Sequence, residues 1–293
     1  MKSTAAGNLW MLVAGLFFAC MGALVKIGAQ KFSSNELVFY RSLFGLIAIF
    51  IITRSGRKSL LTQRWKLHLS RSLLGFTSLA LYFYAITALP LATAVTLNYT
   101  SALFLGALTL LFMRNEAKPI LLLAIMIGFI GIALLLQPSF STGNWLAALL
   151  GLISGMLAGI VYLQVTQLGR LGEPEWRTVF YFTLISAICS GLWMLAHQFH
   201  PLTLADFGLL SAMGACATLA QLAMTRAYRK GDPLVAGSLA YTTVILSSLF
   251  GFLLWHETPT SAGWAGIALI ITSGIISLRG RAGFDKSAQA PTL

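Results

Sequence analysis

The chain reads as long apolar runs separated by short polar gaps. Ten runs can be placed, at about 8–29, 35–53, 69–89, 91–113, 119–137, 144–168, 176–197, 205–227, 233–255 and 262–279. Each approaches the ~20 apolar residues that a helix needs to cross the hydrocarbon core of a bilayer. No run alternates apolar and polar positions at period two, so a membrane barrel is not indicated. Inside a bilayer, backbone polar groups must bond within their own segment, so each run is expected to be a helix. The expected fold class is therefore all-α, a polytopic membrane protein of ten transmembrane helices. The stretch from Gly280 to Leu293 is polar and is expected to fray.

Composition narrows the function classes. Of 293 residues, 57% are hydrophobic and only 10% are charged, against roughly 25% charged in a soluble domain. Too few polar side chains remain to cover a water-facing surface. That excludes a soluble enzyme, a disordered chain and a disulfide scaffold. Cys20, Cys189 and Cys216 all lie inside apolar runs, with no CxxC and no His or acidic residue at ligand spacing. They are expected to be reduced packing residues, with no metal bound. The first run is expected to be an uncleaved span. Phe17 and Phe18 are too bulky for a cleavage site before Cys20, and the apolar run continues through Ile27.

The net charge of +12 sets topology rather than suggesting nucleic-acid binding. With the N-terminus in the cytoplasm, 17 of the 20 Lys and Arg fall inside, and only Lys26, Lys31 and Arg41 fall outside or on the outer half of a span. That bias predicts an N-in, C-in chain and an even number of spans. The gap from Arg54 to Arg71 holds six basic residues and Trp65. It is expected to lie against anionic lipid.

The two halves repeat. Asn8, Gly15, Ala19 and Ala23 match Asn144, Gly151, Gly155 and Gly159 at an offset of 136, and Phe39-Tyr40 matches Phe180-Tyr181 at 141. Pro90 and Gly131 match Pro233 and Gly274 at 143, and Glu116 matches Glu257 at 141. Five spans per repeat is an odd number, so the second copy must be inserted upside down. Residues 1–138 and 139–281 are then two inverted five-helix repeats, followed by a polar tail at 282–293.

These features resemble the drug/metabolite transporter superfamily, specifically the EamA-like ten-span carriers. The resemblance covers nearly the whole chain. It rests on the paired repeats, on the arginine in Phe39-Tyr40-Arg41-Ser42-Leu43, and on two proline-led runs closing on glutamate, at 90–116 and 233–257. Gly128, Gly131, Gly266 and Gly274 in spans 5 and 10 fit as well. The family often has a proline midway along spans 4 and 9, where Ala102 and Thr243 stand here. The resemblance implies a secondary transporter of small metabolites such as amino acids, commonly an exporter, in the inner membrane. It implies neither an enzyme nor a cofactor.

Candidate site residues follow from depth and chemistry. Asn98, Tyr99 and Tyr241 lie about 12–14 Å into spans 4 and 9, near the bilayer centre. Gln221, Tyr82 and Tyr162 are polar or aromatic residues of neighbouring spans. Such a set suits a small organic substrate, although Thr100, Thr242 and Thr243 can equally bond their own helices. Arg41, about 9 Å into span 2, is a candidate gate or a partner for a carboxylate, whereas Lys26 is expected to snorkel outward. Gly15 and Ala19 on span 1, with Gly151, Gly155 and Gly159 on span 6, are expected to form a close helix contact. No Asp, Glu or His is embedded mid-span, so uniport and proton antiport stay open. GxSxG, HExxH and a phosphate loop are all absent. A membrane-embedded enzyme, or a structural or lipid-handling protein, stays as the alternative.

Overall fold

The computed structural model describes residues 2–57, 59–101, 103–104, 123, 126–135, 143–197, 199–231, 236 and 239–287. Ala102, Glu116, Phe140, Asp232 and Pro233 lie outside the described residues, as do Lys58, Arg114 and Lys118. Among the described residues every regular element is an α-helix. They are α1 (Lys2–Gly28), α2 (Ser34–Ser55), α3 (Trp65–Ala88), α4 (Leu91–Tyr99) and α5 (Met126–Leu135), then α6 (Trp145–Arg170), α7 (Glu175–Leu195), α8 (Leu204–Lys230), α9 (Thr242–Trp255) and α10 (Ser261–Ser287). Six of them, α1–α3 and α6–α8, are long and apolar enough to cross a membrane. Large apolar side chains such as Leu192, Leu195 and Ile245 point outward. This is a multi-pass membrane protein. Helix α10 runs on through Ser287, so much of the stretch expected to fray is helical.

Local chemistry sets the helix ends. The Ser33 hydroxyl accepts from the Glu36 N–H at the start of α2, and Thr203 and Asp206 form a capping box at the start of α8. Pro90 and Pro174 stand immediately before α4 and α7, a position where a missing N–H costs nothing. After α9, His256 takes a left-handed conformation (φ 53°), and the Glu257 N–H reaches back to the Gly251 carbonyl at 3.1 Å. This reversal folds Glu257 back toward the helix ends.

Helix α4 stops after nine residues, at Tyr99. The Thr100 N–H bonds the Leu97 carbonyl at 3.3 Å, one residue short of α-helical spacing, before the Phe104 N–H returns to the Thr100 carbonyl at 3.1 Å. Helix α9 starts from a similar tightened turn, where the Val244 N–H bonds the Tyr241 carbonyl at 3.0 Å. The Leu103 N–H likewise bonds the Thr100 carbonyl at 2.8 Å, and this turn and the Tyr241 turn are 141 residues apart, the offset that also relates Phe39-Tyr40 to Phe180-Tyr181. The Thr100 hydroxyl donates to the Leu97 carbonyl at 2.6 Å, and the Thr242 hydroxyl to the Leu239 carbonyl at 2.7 Å. Threonine back-bonding of this kind bends helices, so these turns need no proline.

Packing follows a regular scheme. Helix α1 lies against α8 and α9, and α6 against α3 and α4; α2 packs on α7 and α8, α3 on α7, and α4 on α9. Exchanging α1–α5 for α6–α10 maps this set of pairs onto itself.

One expectation fails here. The glycine face of α6 does not meet α1; it receives α3 and α4. A Cβ at Gly151 would stand 3.2 Å from both Ala85 Cβ and Leu97 Cδ1. At Gly155 it would stand 2.4 Å from the Leu97 carbonyl oxygen, 2.5 Å from Thr100 Oγ1 and 3.0 Å from the Asn98 carbonyl oxygen. On the other side, a Cβ at Gly15 would meet Thr242 Oγ1 at 2.6 Å. The small-residue faces therefore seat the tightened turns of α4 and α9, whose backbone and hydroxyl groups come too close for any Cβ. Ala19 and Gly159 are buried farther along the same two helices.

Candidate functional site

A cavity of about 70 Å³ lies where α2, α3, α4, α6, α7 and α8 converge on α1. Asn98, Tyr99, Gln221, Tyr82 and Tyr162 line it, and so does Arg41. Six residues expected at the site thus come together from five helices. Tyr241 is not among the lining residues. Its hydroxyl is buried with no hydrogen-bond partner.

The polar wall is partly committed to the fold. Asn98 Nδ2 donates to Ser154 Oγ at 3.0 Å, and that hydroxyl donates to the Gly151 carbonyl at 2.6 Å. Ser78 Oγ donates to the Ser154 carbonyl at 2.8 Å. Tyr99 OH donates to Thr243 Oγ1 at 2.9 Å, which ties α4 to α9. The Tyr162 ring stacks on Tyr228, with centroids 5.4 Å apart. Tyrosine rings with Phe18, Met21 and Met224 form the apolar remainder.

Two lining residues were not legible as site residues in the sequence. Arg71 counts there as a cytoplasmic-loop charge, yet it lies inside α3 and is 1% exposed. The gap between spans 2 and 3 simply ends earlier than its basic run does. Phe182 stands at the offset of 141 from Arg41, so the repeat was the available signal. The Arg41 guanidinium carbon lies 5.0 Å from the Phe182 ring centroid and that of Arg71 4.1 Å. Both arrangements are cation–π contacts. Gly75 leaves room for them, since a Cβ there would stand 3.1 Å from the Phe182 ring and 3.5 Å from Arg71 Nη1.

Tied polar groups join the helices at both ends of the bundle. At the end where α1, α3 and α9 finish, Lys26 Nζ donates to the Leu89 carbonyl at 2.8 Å and to Glu257 Oε1. Glu257 Oε2 accepts from the Leu91 N–H at 2.8 Å, so this carboxylate also caps α4. Lys26 is therefore paired and does not snorkel, because Glu257 is folded back into its reach. At the same end the buried Glu36 carboxylate accepts from the His200 N–H at 3.0 Å and contacts His200 Nδ1 at 2.8 Å. At the opposite end, Glu173 accepts from the Thr62 hydroxyl at 2.6 Å and from Arg177 Nη1 at 2.8 Å, with His68 Nε2 at 3.3 Å. Burial alone would raise the Glu173 pKa. The bonds from Thr62 and Arg177, with the His68 ring beside them, outweigh it and hold this carboxyl below the ordinary range.

The arrangement is a small cavity between two ends of the bundle that are tied by polar groups. Among the described residues no His, Cys, Asp and Glu group could hold a metal ion. Organic ligands typically occupy ~300–1,000 Å³, so the cavity must enlarge by helix movement before it admits one.

Comparison with known proteins agrees with this picture. The EamA-like transporter family matches the chain twice, over residues 5–137 and 145–279. The chain is 28% identical to the pseudopaline exporter CntI of Pseudomonas aeruginosa, over 95% of this chain and 98% of that protein. It is 29% identical to a riboflavin transporter of Rhizobium johnstonii, over 93% and 91% of the two chains. It is 22% identical to an S-adenosylmethionine uptake transporter of Rickettsia bellii, over 92% of each chain. A solved crystal structure at 20% identity superposes with a TM-score of 0.70, covering 94% of this chain and 98% of that one, which establishes the likeness of fold. The chain belongs to the EamA-like transporter family.

Proposed function

We propose that this protein is a secondary carrier that exports small metabolites, such as amino acids or related compounds, across the inner membrane. Substrate binds at the cavity lined by Asn98, Tyr99, Gln221, Tyr82, Tyr162 and Arg41. The halves, residues 1–138 and 139–281, are inverted repeats of five spans each, with both termini in the cytoplasm. Alternating access then opens the Lys26–Glu257 end to the outside and the Glu173 end to the cytoplasm, one at a time.

The observation that carries this reading is the convergence of six sequence-predicted residues from five helices on one cavity. The twofold family match and the exchange symmetry of the helix pairs support the inverted repeat. The strong bias of Lys and Arg to one side supports the orientation. Relatives are named for both export and uptake, and the direction taken here follows the pseudopaline exporters. The test is counterflow in proteoliposomes loaded with a mixed metabolite pool and read by mass spectrometry. A few compounds should exchange in wild type and not in empty liposomes. No exchange of any compound, in protein shown to be folded, would remove the carrier reading.

A further inference from the structure

We propose that the cavity selects organic anions, with Arg41 and Arg71 together forming the receptor for a substrate carboxylate. This inference rests on the carrier reading above and assigns it a substrate class.

The two guanidiniums share one aromatic face. Both lie over Phe182, at 5.0 Å and 4.1 Å from the ring centroid. Both side chains are almost wholly buried, at 2% and 1% exposure, and both line the cavity. In each, Nε and Nη1 are buried with no hydrogen-bond partner. Arginine cannot shed its charge to escape such a site. An unpaired buried cation is strongly unfavourable, and two near one ring also repel each other.

No acidic residue whose side chain is described compensates them. Glu36 is held by His200, Glu173 by Thr62 and Arg177, and Glu175 by Arg229. Asp206 belongs to Lys31 and the Thr203 cap, and Glu257 to Lys26 and the start of α4. All of these sit at the two ends of the bundle, and none lines the cavity. The cavity therefore carries two positive charges and unused planar donors. A carboxylate is the group such donors fit, because guanidinium forks bind it through two parallel hydrogen bonds. Ser78, Asn98 and Gln221 on the same wall offer neutral polar contacts for the rest of the molecule, and the tyrosine rings offer apolar ones.

The experiment is thermal unfolding of the purified full-length protein in detergent at constant ionic strength. The probes are succinate, glutamate and citrate, each paired with its neutral amide and with sodium chloride. At about 10 mM, a ligand of hundred-micromolar affinity shifts the unfolding equilibrium by ~100-fold. At least one carboxylate should stabilise wild type, while its amide and chloride do not. Arg41→Gln and Arg71→Gln should each lose that shift, and Arg71→Lys should keep part of it. Without ligand, Arg71→Gln should melt at or above wild type, because one of two repelling buried charges is gone.

The proposal is overturned if no carboxylate stabilises wild type, if amide or chloride does so equally, or if both glutamine variants keep the full shift. It is also overturned if ligand-free Arg71→Gln is clearly destabilised. Proteoliposome flux separates the two readings. Exchange confined to neutral or cationic compounds would keep the carrier and reject the anion site. Carboxylate binding without any flux would keep the site and reject the carrier.

Discussion

Gly155 is a position where a single methyl group should disturb the cavity wall directly. Replacing it by Ala puts a Cβ 2.4 Å from the Leu97 carbonyl oxygen, 2.5 Å from Thr100 Oγ1 and 3.0 Å from the Asn98 carbonyl oxygen. Two of these three atoms are backbone, so no rotamer change relieves the clash. Helix α4 must retreat by roughly 1 Å to restore ordinary contact, and overpacking of this kind costs about 1–3 kcal/mol. Against that, Ala is favoured over Gly in a helix interior by up to ~1 kcal/mol. The net loss is therefore about 0–2 kcal/mol in stability, but the displacement falls on Asn98 and Tyr99, which line the cavity. Gly208 of α8 is the internal control, since a Cβ there meets nothing within 4 Å. Gly208→Ala should gain the helix preference alone. The two variants should differ by about 1–3 kcal/mol, or several degrees in melting temperature. In proteoliposomes Gly155→Ala should lose most of its flux and Gly208→Ala none. If Gly155→Ala melts and transports like Gly208→Ala, the close seating of α4 on α6 is wrong.

Glu257→Gln keeps a cap for α4 but removes the ion pair with Lys26; together with Lys26→Ala it should raise thiol labelling of a cysteine introduced at Met21, and equal labelling in all forms would reject a latch at that end. The Glu173 carboxyl titrates below the ordinary carboxylate value near 4.5, so its contribution is complete above that pH and fades as pH falls through the lowered value; Glu173→Gln should flatten this acid limb of the melting profile, and an unchanged limb would place the acid sensitivity elsewhere. Tyr241→Phe removes a buried hydroxyl that has no partner, and should leave stability equal or higher and substrate affinity unchanged, whereas Tyr99→Phe breaks the bond to Thr243 and should cost about 1 kcal/mol in thermal unfolding.

Much of the architecture was legible because bilayer physics constrains it so tightly. Apolar runs of spanning length, the one-sided bias of Lys and Arg, and the paired Phe-Tyr and glycine positions are all visible without a structure. So were six of the cavity's lining residues, since depth along a helix follows from rise per residue, and buried amides and tyrosines are few. What depth cannot give is the azimuth of each side chain. Tyr241 has the depth of Asn98, yet it lies off the cavity wall. Gly151 and Gly155 were visible as a close-packing face, but spacing could not say that α4 occupies it. Arg71 was misjudged because a charge near a helix end reads the same whether its head points outward or inward. Lys26 was misjudged for a similar reason. Its partner Glu257 is 231 residues away, and a left-handed turn at His256 brings it there.

The central claim is that one cavity is reached alternately from the two sides of the membrane. It is tested most directly by a single cysteine at Ala158, a small residue of the cavity wall, with Cys20, Cys189 and Cys216 replaced. Right-side-out and inside-out vesicles are treated with a membrane-impermeant thiol reagent. The account predicts that Ala158→Cys reacts from both sides, and that disulfide closure of either end, across Lys26 and Glu257 or across Thr62 and Glu173, abolishes labelling from that side alone. Labelling from one side only, or from both sides with an end locked, would contradict it.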